Sequence, residues 1–359
     1  MIQFIKEKFV SGIITLFGVS SLVFFLFSVL PGDPSEMMLD QRAGAEERQK
    51  VKQKFGFDLP LHLQYFFFIN DLSPLSFHSK DPQHFTYYTP AKYSGYRMDL
   101  GNSIVAVKYP YLRTSFQKQG KPVAEIIAQT LPNTVYLALF AIGIAVVLGF
   151  FLGLVSGFYH NTWLDNLLQL LSTLGMSVPS FFSAILFAWI FGHLLQEYTG
   201  LNMTGSMYEM DDYGEENHLM LKNIVLPAIV LGIRPIAVVV QLVRSGIIEV
   251  LSLDYIRTAR MKGLSWPKVL YKHALRNILN PVITALSGWF ASMLAGAVFV
   301  EYVFGWRGLG KEVVTALNTL DIPVVTGIVL VIASLFILLN AMVEIAYVII
   351  DPQVKFLKP

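Results

Sequence analysis

The 359-residue chain contains no cysteine, which excludes a disulfide framework, a thiol nucleophile and a thiolate metal site. Charged residues are scarce: they form 14% of the sequence, against about 25% in an average soluble domain. Hydrophobic residues supply 54%, in blocks that reach the length of about 20 residues that a helix needs to cross a bilayer. This composition indicates a multi-pass membrane protein.

Local catalytic signatures are also absent. The sequence has neither the H-E-x-x-H pattern of zinc proteases nor the G-x-S-x-G pattern of serine hydrolases. The range Gly305–Lys311 has the spacing of a nucleotide-binding P-loop, but Glu312 stands where that motif needs Ser or Thr, and no predicted strand precedes it. The seven histidines are scattered and no two are four residues apart. We therefore expect no enzyme, no ATPase site within the chain, no metal site and no cofactor.

Six apolar runs are long enough to form membrane-spanning helices. They cover residues 9–30, 130–157, 167–195, 224–246, 282–300 and 323–350. A signal peptide is the alternative for the first run, but it exceeds the usual apolar core of about 7–15 residues, so we interpret it as a retained helix. Pro179 interrupts the third run and predicts a kink. Small residues recur every fourth position in two runs, which predicts close helix packing in lipid. They are Gly149, Gly153, Gly157, Gly288, Ser292 and Gly296.

The polar intervals predict the organisation of the rest of the chain. Residues 1–30 form an N-terminal spanning helix, and residues 31–125 form a long external segment. Within that segment, about 73–98 is an insertion rich in Ser, Pro, Tyr and Phe. It is either a platform for an external binding protein, or a cap over a pathway, or a surface loop peculiar to this lineage.

A basic interval, Glu249–Pro281, separates the fourth and fifth runs. Between Arg244 and Arg276 the chain carries seven Arg or Lys against two acids, and short basic loops belong on the cytoplasmic side. Ile256, Ala259 and Gly263 fall on one helix face that ends in small residues, which predicts close approach of another protein. Gly263 is expected to stop this helix. The alternative is a loop that only sets topology.

The same interval carries a family resemblance. The run Asp254–Gly263, DYIRTARMKG, is followed by His273–Asn277, HALRN. Together they resemble the cytoplasmic EAA loop of binding-protein-dependent ABC importer permeases, in the dipeptide, oligopeptide and nickel branch. Arg257 stands at the Glu position of the general E-A-A-x-x-x-G pattern and Thr258 at the next Ala, as is typical of that branch. The range Glu301–Gly310 also resembles the family's E-x-x-F-x-x-P-G-L-G element, with Arg in place of Pro.

The resemblance implies an all-α membrane protein with the six-helix fold of type I ABC importer permeases. Residues 126–350 would be the ABC type-1 transmembrane domain, including the loop 249–281, and residues 351–359 a cytoplasmic tail. The chain would form half of a peptide pathway in the bacterial inner membrane, with both termini cytoplasmic. Its partners would be a second permease subunit, two ABC ATPases, an external substrate-binding protein and lipid, with no nucleic acid. The residues expected to couple to the ATPases are Asp254, Tyr255, Arg257, Thr258, Ala259, Arg260, Lys262 and Gly263.

Arg234 is the candidate for the substrate pathway. It lies about ten residues into the fourth run, and a charge at such depth usually faces a cavity or a partner. A structural ion pair or carbonyl contact is the alternative. Nickel or another small solute is the alternative substrate within the family. A secondary transporter is the alternative outside it, but no internal repeat is evident, and only Arg234 and Glu344 are ionisable and deep.

Overall fold

The computed structural model describes residues 2–29, 44–81, 84, 86–90, 92–93, 95–101, 103–118, 120–210, 217–269 and 275–350. The predicted HALRN run, part of the external segment and the C-terminal tail fall partly or wholly outside these residues. The chain divides into two compact units. The first comprises Met1–Thr130 and Glu312–Ser334, and the second comprises Leu131–Lys311 and Leu335–Pro359.

Helices dominate both units. The long ones are α1 (Ile2–Val29), α4 (Val123–Phe158), α8 (Lys222–Ser252), α11 (Leu275–Gly296) and α14 (Ile322–Ile350). The shorter ones are α2 (Ala45–Phe55), α3 (Leu61–Leu72), α5 (Trp163–Ser177), α6 (Ser180–Trp189), α7 (Gln196–Thr199), α9 (Asp254–Met261), α10 (Trp266–Val269), α12 (Val298–Phe304) and α13 (Leu309–Asn318). A π-helical turn, Ile190–Leu194, extends α6.

Four helices in the described part of the chain are long and apolar enough to cross a membrane, namely α1, α4, α8 and α14. Two bent pairs bring the number to six if each pair is one span: α5 with α6, bent by 109°, and α11 with α12, bent by 59°. The predicted break at Pro179 is confirmed, because α5 ends at Ser177 and α6 starts at Ser180. The 109° bend is far sharper than an ordinary proline kink.

The first unit contains a small sheet that the sequence analysis did not predict. Strands β1 (Leu75–Ser79), β2 (Gly95–Leu100) and β3 (Ser103–Lys108) pair antiparallel in the order β1-β3-β2. The inner face of β1 and β3 is buried under Tyr88 and Tyr93. On the outer face, three-strand rows place apolar side chains side by side, for example Phe77, Val105 and Met98. A second, two-stranded sheet, β4 (Tyr208–Met210) and β5 (Asn217–Leu219), lies in the second unit.

The first predicted glycine stripe is confirmed in the second unit. A Cβ atom added to Gly149 would lie 2.7 Å from the Cβ of Val239, and one added to Gly153 would lie 2.7 Å from that of Val243. The backbones of α4 and α8 can therefore approach only because these positions carry no side chain. The second stripe differs, because Gly288 on α11 has no described atom within 4 Å of such a Cβ.

Candidate functional site

The basic interval forms the short helix α9 directly after α8. Leu253 is extended (φ −76°, ψ 141°), which ends α8 and turns the chain before Asp254 begins the next helix. The acidic Asp254 lies in the first turn of α9, where its charge complements the helix dipole. The Thr258 hydroxyl donates a hydrogen bond to the Asp254 carbonyl at 3.0 Å. Local sequence thus sets both the start and the orientation of α9.

The inner face of α9 is buried in the chain itself. Ile256 is 1% exposed and Ala259 is 7% exposed. Both belong to an apolar cluster with Val250 of α8, Val269 of α10 and Ile278 of α11. The chain's own helices cover Ile256 and Ala259 on the face that was expected to meet another protein, because helix periodicity identifies an apolar face but not what covers it. Complete burial of Ile256 stabilises the position of α9 by about 1.5–3 kcal/mol.

Gly263 ends the helix, as the sequence analysis predicted. Its φ of +79° lies in the left-handed region, which favours glycine at helix C-termini. Leu264 N donates to the Ala259 carbonyl at 3.3 Å, so the last turn is closed. A Cβ at this position would meet no atom within 4 Å. Gly263 is therefore required by the backbone conformation, and it packs closely against no other described part of this chain.

The outer face of α9 carries exposed side chains. We define it as Asp254, Tyr255, Arg257, Thr258, Met261 and Lys262. The side chain of Asp254 is 97% exposed and that of Arg257 is 72% exposed, and they stand 3.9 Å apart. Met261 is 81% exposed, although the sequence analysis did not single it out. The side chain of Arg260 lies outside the described atoms. A flexible, polarisable Met side chain among charged residues is suited to contact with a partner protein. Met261 lies four residues after Arg257, and this helical spacing could have placed it on the same face from the sequence alone.

The end of α8 that carries α9 is braced by a buried ion pair. Arg244 donates to Asp165 of α5 through Nε at 2.7 Å and through Nη2 at 2.8 Å. The Ser156 hydroxyl of α4 donates to the same carboxylate at 2.6 Å. Because the Asp165 side chain is 1% exposed, removing either charge would leave the other buried and unpaired. The pair therefore fixes three helices against one another at this end of α8.

Arg234 contacts a backbone carbonyl. Its Nη2 donates to the carbonyl of Val178 at 3.4 Å, and its Nε is buried without a hydrogen-bond partner in the described atoms. Val178 is the residue that follows α5 at the sharp break before α6, where carbonyls lose their helical partners. This geometry matches the structural alternative, a carbonyl contact, more closely than an open pathway contact.

The glycine-rich turn that imitates a P-loop is built around a buried carboxylate. Glu301 is 0% exposed, and its Oε2 accepts from the N–H of Gly310 at 2.7 Å and of Lys311 at 3.2 Å. A Cβ on Gly308 would lie 2.4 Å from the same oxygen, so this glycine makes room for the carboxylate. Arg307 N donates to the Ser206 hydroxyl at 3.2 Å, a bond that the more usual proline could not make. The turn joins α12 to α13 and is not shaped for phosphate.

Family models match this chain in two segments. The model described as "Binding-protein-dependent transport system inner membrane component" matches residues 145–356, which include α9 and the Glu301 turn. The model of the N-terminal part of such components matches residues 1–76. The chain belongs to this family. An inner membrane component of this family works with other parts of an ABC transport system.

Curated relatives match along almost their whole length. The dipeptide transport system permease protein DppB of Alkalihalophilus pseudofirmus is 30% identical, over 99% of this chain and 100% of its own. The probable D,D-dipeptide transport system permease protein DdpB of Escherichia coli is 31% identical, over 95% and 94%. The glutathione transport system permease protein GsiC of the same species is 30% identical, over 99% and 100%. A crystal structure of an amino acid ABC transporter has a TM-score of 0.43 at 15% identity, covering 62% of this chain and 92% of that one.

Proposed function

We propose that this inner membrane component forms one half of the translocation pathway of an ATP-driven peptide importer. The names of the relatives, which specify dipeptides, D,D-dipeptides and glutathione, support a short peptide as substrate. A second permease subunit completes the pathway. The exposed small-residue positions Gly288 and Ser292 on α11 would allow a helix of that subunit to approach closely.

The outer face of α9 docks on a cytoplasmic ABC ATPase. The observation that carries this proposal is that α9 has one buried face and one exposed face. Ile256 and Ala259 pack it against α8 and α11, while its charged side chains on the outer face are exposed to solvent. A helix held in this way moves together with the spans that flank it. Closure of the ATPases on ATP would therefore be transmitted to α8 and α11 as rigid-body movement, which is how alternating access is driven.

A soluble binding protein delivers the peptide on the opposite membrane surface. The outer face of the three-stranded sheet supports this docking role, because Tyr96 is 74% exposed, Met98 54% and Phe77 53%. Aromatic side chains and Met are enriched at protein interfaces. Strand β1 and most of β2 fall within the insertion, about residues 73–98, for which a platform was one of the three sequence-based interpretations. Arg234 remains a candidate for contact with the peptide only in a state in which the Val178 carbonyl releases it.

Charge reversal on α9 tests the docking role. Lys262→Glu places an acid on the outer face, whereas Lys268→Glu places one on α10, where the side chain is also exposed. The full chain is reconstituted with its permease partner, ATPases and binding protein. We expect Lys262→Glu to reduce ATPase co-purification in a salt-dependent manner, because exposed charges are screened over about 8 Å at physiological ionic strength. Lys268→Glu should behave like the unmodified chain. Equal effects of the two variants would refute docking through the outer face.

Single-cysteine labelling tests the topology. The chain has no cysteine, so one introduced thiol gives an unambiguous signal. A membrane-impermeant maleimide should label Tyr109→Cys in intact cells, because Tyr109 is 83% exposed and lies in the segment 31–125 that is predicted to be external. Lys262→Cys should be labelled only in inverted vesicles. Labelling of Lys262→Cys in intact cells would overturn the proposed orientation while leaving membership of the family untouched.

A further inference from the structure

The second half of α8 packs against three neighbouring helices. Val243 faces α4, where a Cβ added to Gly153 would lie 2.7 Å from the Cβ of Val243. Arg244 faces α5, to which it is tied by its ion pair. Gly246 faces α11, where a Cβ on it would lie 2.9 Å from Cγ1 of Ile278. Within the described part of the chain, these neighbours leave one side of α8 partly open.

The open side of α8 is polar. Arg234, Gln241 and Ser245 stand at i, i+7 and i+11, which places them within about 40° of one another around the helix. Nε2 of Gln241 reaches only the Sδ atom of Met176, at 3.9 Å, and thioether sulfur is a weak acceptor. Nε of Arg234 is buried without a partner among the described atoms. This side therefore holds hydrogen-bonding capacity that the described part of the chain does not use.

Helix α5 continues the same side. Arg234 contacts the carbonyl of Val178 and Gln241 contacts Met176, and these two contacts flank Ser177, whose side chain is exposed. The polar side chains of both helices thus form one surface. We call it the polar wall and define it as Thr173, Ser177, Arg234, Gln241 and Ser245.

The hydroxyl groups of the polar wall are arranged as acceptors. Thr173 donates to the carbonyl four residues earlier at 2.9 Å, Ser177 does so at 2.8 Å and Ser245 at 2.9 Å. A hydroxyl that donates in this way keeps lone pairs with which it can accept from another N–H group. The Gln241 amide adds both a donor and an acceptor. The wall thus complements the N–H and C=O groups of a peptide bond.

Other exposed surfaces of the same helices are apolar. Val147 and Phe151 are exposed on α4, and Leu170 and Leu171 are exposed on α5. Such side chains suit contact with lipid, whereas polar groups facing hydrocarbon are costly because no water is present to bond them. Polar side chains within a spanning segment usually face a water-filled cavity or another protein. The polar wall is therefore not a lipid-facing surface.

We infer that the polar wall is this chain's side of the translocation pathway and binds the backbone of the peptide in transit, an inference that rests on the proposed function. The backbone groups are common to all peptides, so a wall of amide and hydroxyl groups accepts different side chains. Arg234 is the one cation of the wall. Its 3.4 Å contact with the Val178 carbonyl can be exchanged for the terminal carboxylate of the peptide, a stronger, charge-assisted partner.

Thiol accessibility in the complex reconstituted with its partner subunits tests the wall. The chain has no cysteine, so Ser245→Cys and Thr173→Cys each introduce a single thiol, and labelling of this chain is followed by mass spectrometry. A charged methanethiosulfonate should modify both at least roughly tenfold faster than Leu171→Cys and Val147→Cys, because hydrocarbon excludes the reagent. The last two are matched controls on the apolar surfaces. Saturating dialanine should slow modification of the wall thiols.

Gln241→Leu tests recognition of the backbone. It should raise the KM for dipeptides with small and with aromatic side chains by the same factor of about five, as expected for the loss of one net hydrogen bond. An effect confined to one kind of side chain would refute backbone recognition. Normal uptake with wall thiols as slow as the controls would mean that another helix covers the wall, and modification that dialanine does not slow would exclude contact with the peptide. Absence of dipeptide uptake by the unmodified complex would instead refute the proposed function, and this inference with it.

Discussion

Replacing Ile256 by Ala tests the role of the buried inner face of α9 without changing its exposed outer face. The side chain is 1% exposed and packs in the cluster that joins α9 to α8 and α11. Truncating a buried Ile to Ala costs about 2–5 kcal/mol. Because α9 has eight residues, and isolated helices shorter than about 12–15 residues are marginal in water, this loss falls on the docking of α9. A cost of about 2 kcal/mol lowers the docked population relative to the undocked one about 30-fold.

The expected phenotype is uncoupling. The outer face keeps its charges in Ile256→Ala, so the ATPase should still co-purify. ATP hydrolysis should no longer respond to the loaded binding protein, and peptide uptake should fall. Hydrogen exchange of the α9 amides should accelerate at least about tenfold. Ile256→Val, which costs about 0.5–1.5 kcal/mol, is the graded control and should show a partial effect.

Met261→Ala makes the complementary change to Ile256→Ala, because it removes an exposed side chain from the outer face of α9 and leaves the buried inner face intact. It should weaken ATPase binding without changing amide exchange in α9. Normal uptake and normal stimulation of ATP hydrolysis in Ile256→Ala would refute the idea that α9 transmits movement through its buried face.

Three further predictions concern packing, the glycine-rich turn and acidity. Gly153→Leu should prevent stable assembly, because the added Cβ alone would lie 2.7 Å from the Cβ of Val243. Gly143→Leu on the same helix should be tolerated, because Gly143 is exposed and a Cβ there meets no atom within 4 Å. Size-exclusion chromatography distinguishes the two variants. Glu301→Leu should lower the melting temperature more than Glu301→Gln, because Leu leaves two backbone N–H groups without an acceptor, at about 1–3 kcal/mol each. Burial, followed by nearby Lys side chains, lowers the pKa of His78 from 6.5 to about 4. The unfolded chain therefore takes up more protons between these values, so the small sheet should lose up to about 3 kcal/mol of stability as the pH falls through that window. Proteolysis at pH 7.5 and pH 5 measures this, and His78→Phe should remove the dependence.

Local patterns were sufficient wherever the chemistry is local. Apolar run lengths located the helices that are candidates for crossing the membrane, Pro179 located the break between α5 and α6, and Gly263 gave the end of α9. The glycine stripe on α4 was read correctly because close packing of helices requires small side chains whatever the partner helix is. The family resemblance also lay in contiguous runs, which a single sequence displays completely.

Only the tertiary structure decided which part of the protein covers each face that the sequence pattern identified. Periodicity grouped Ile256 with Ala259, but only the fold shows that α8, α10 and α11 cover them, which moves the candidate contact to the opposite face. The contact of Arg234 with Val178 depends on a helix break 56 residues away in sequence. The small sheet pairs β1 with β3, which are separated by more than 20 residues along the chain. Sequence spacing records the order of residues along one helix or strand, whereas burial and charge pairing depend on distances that the folded chain alone creates.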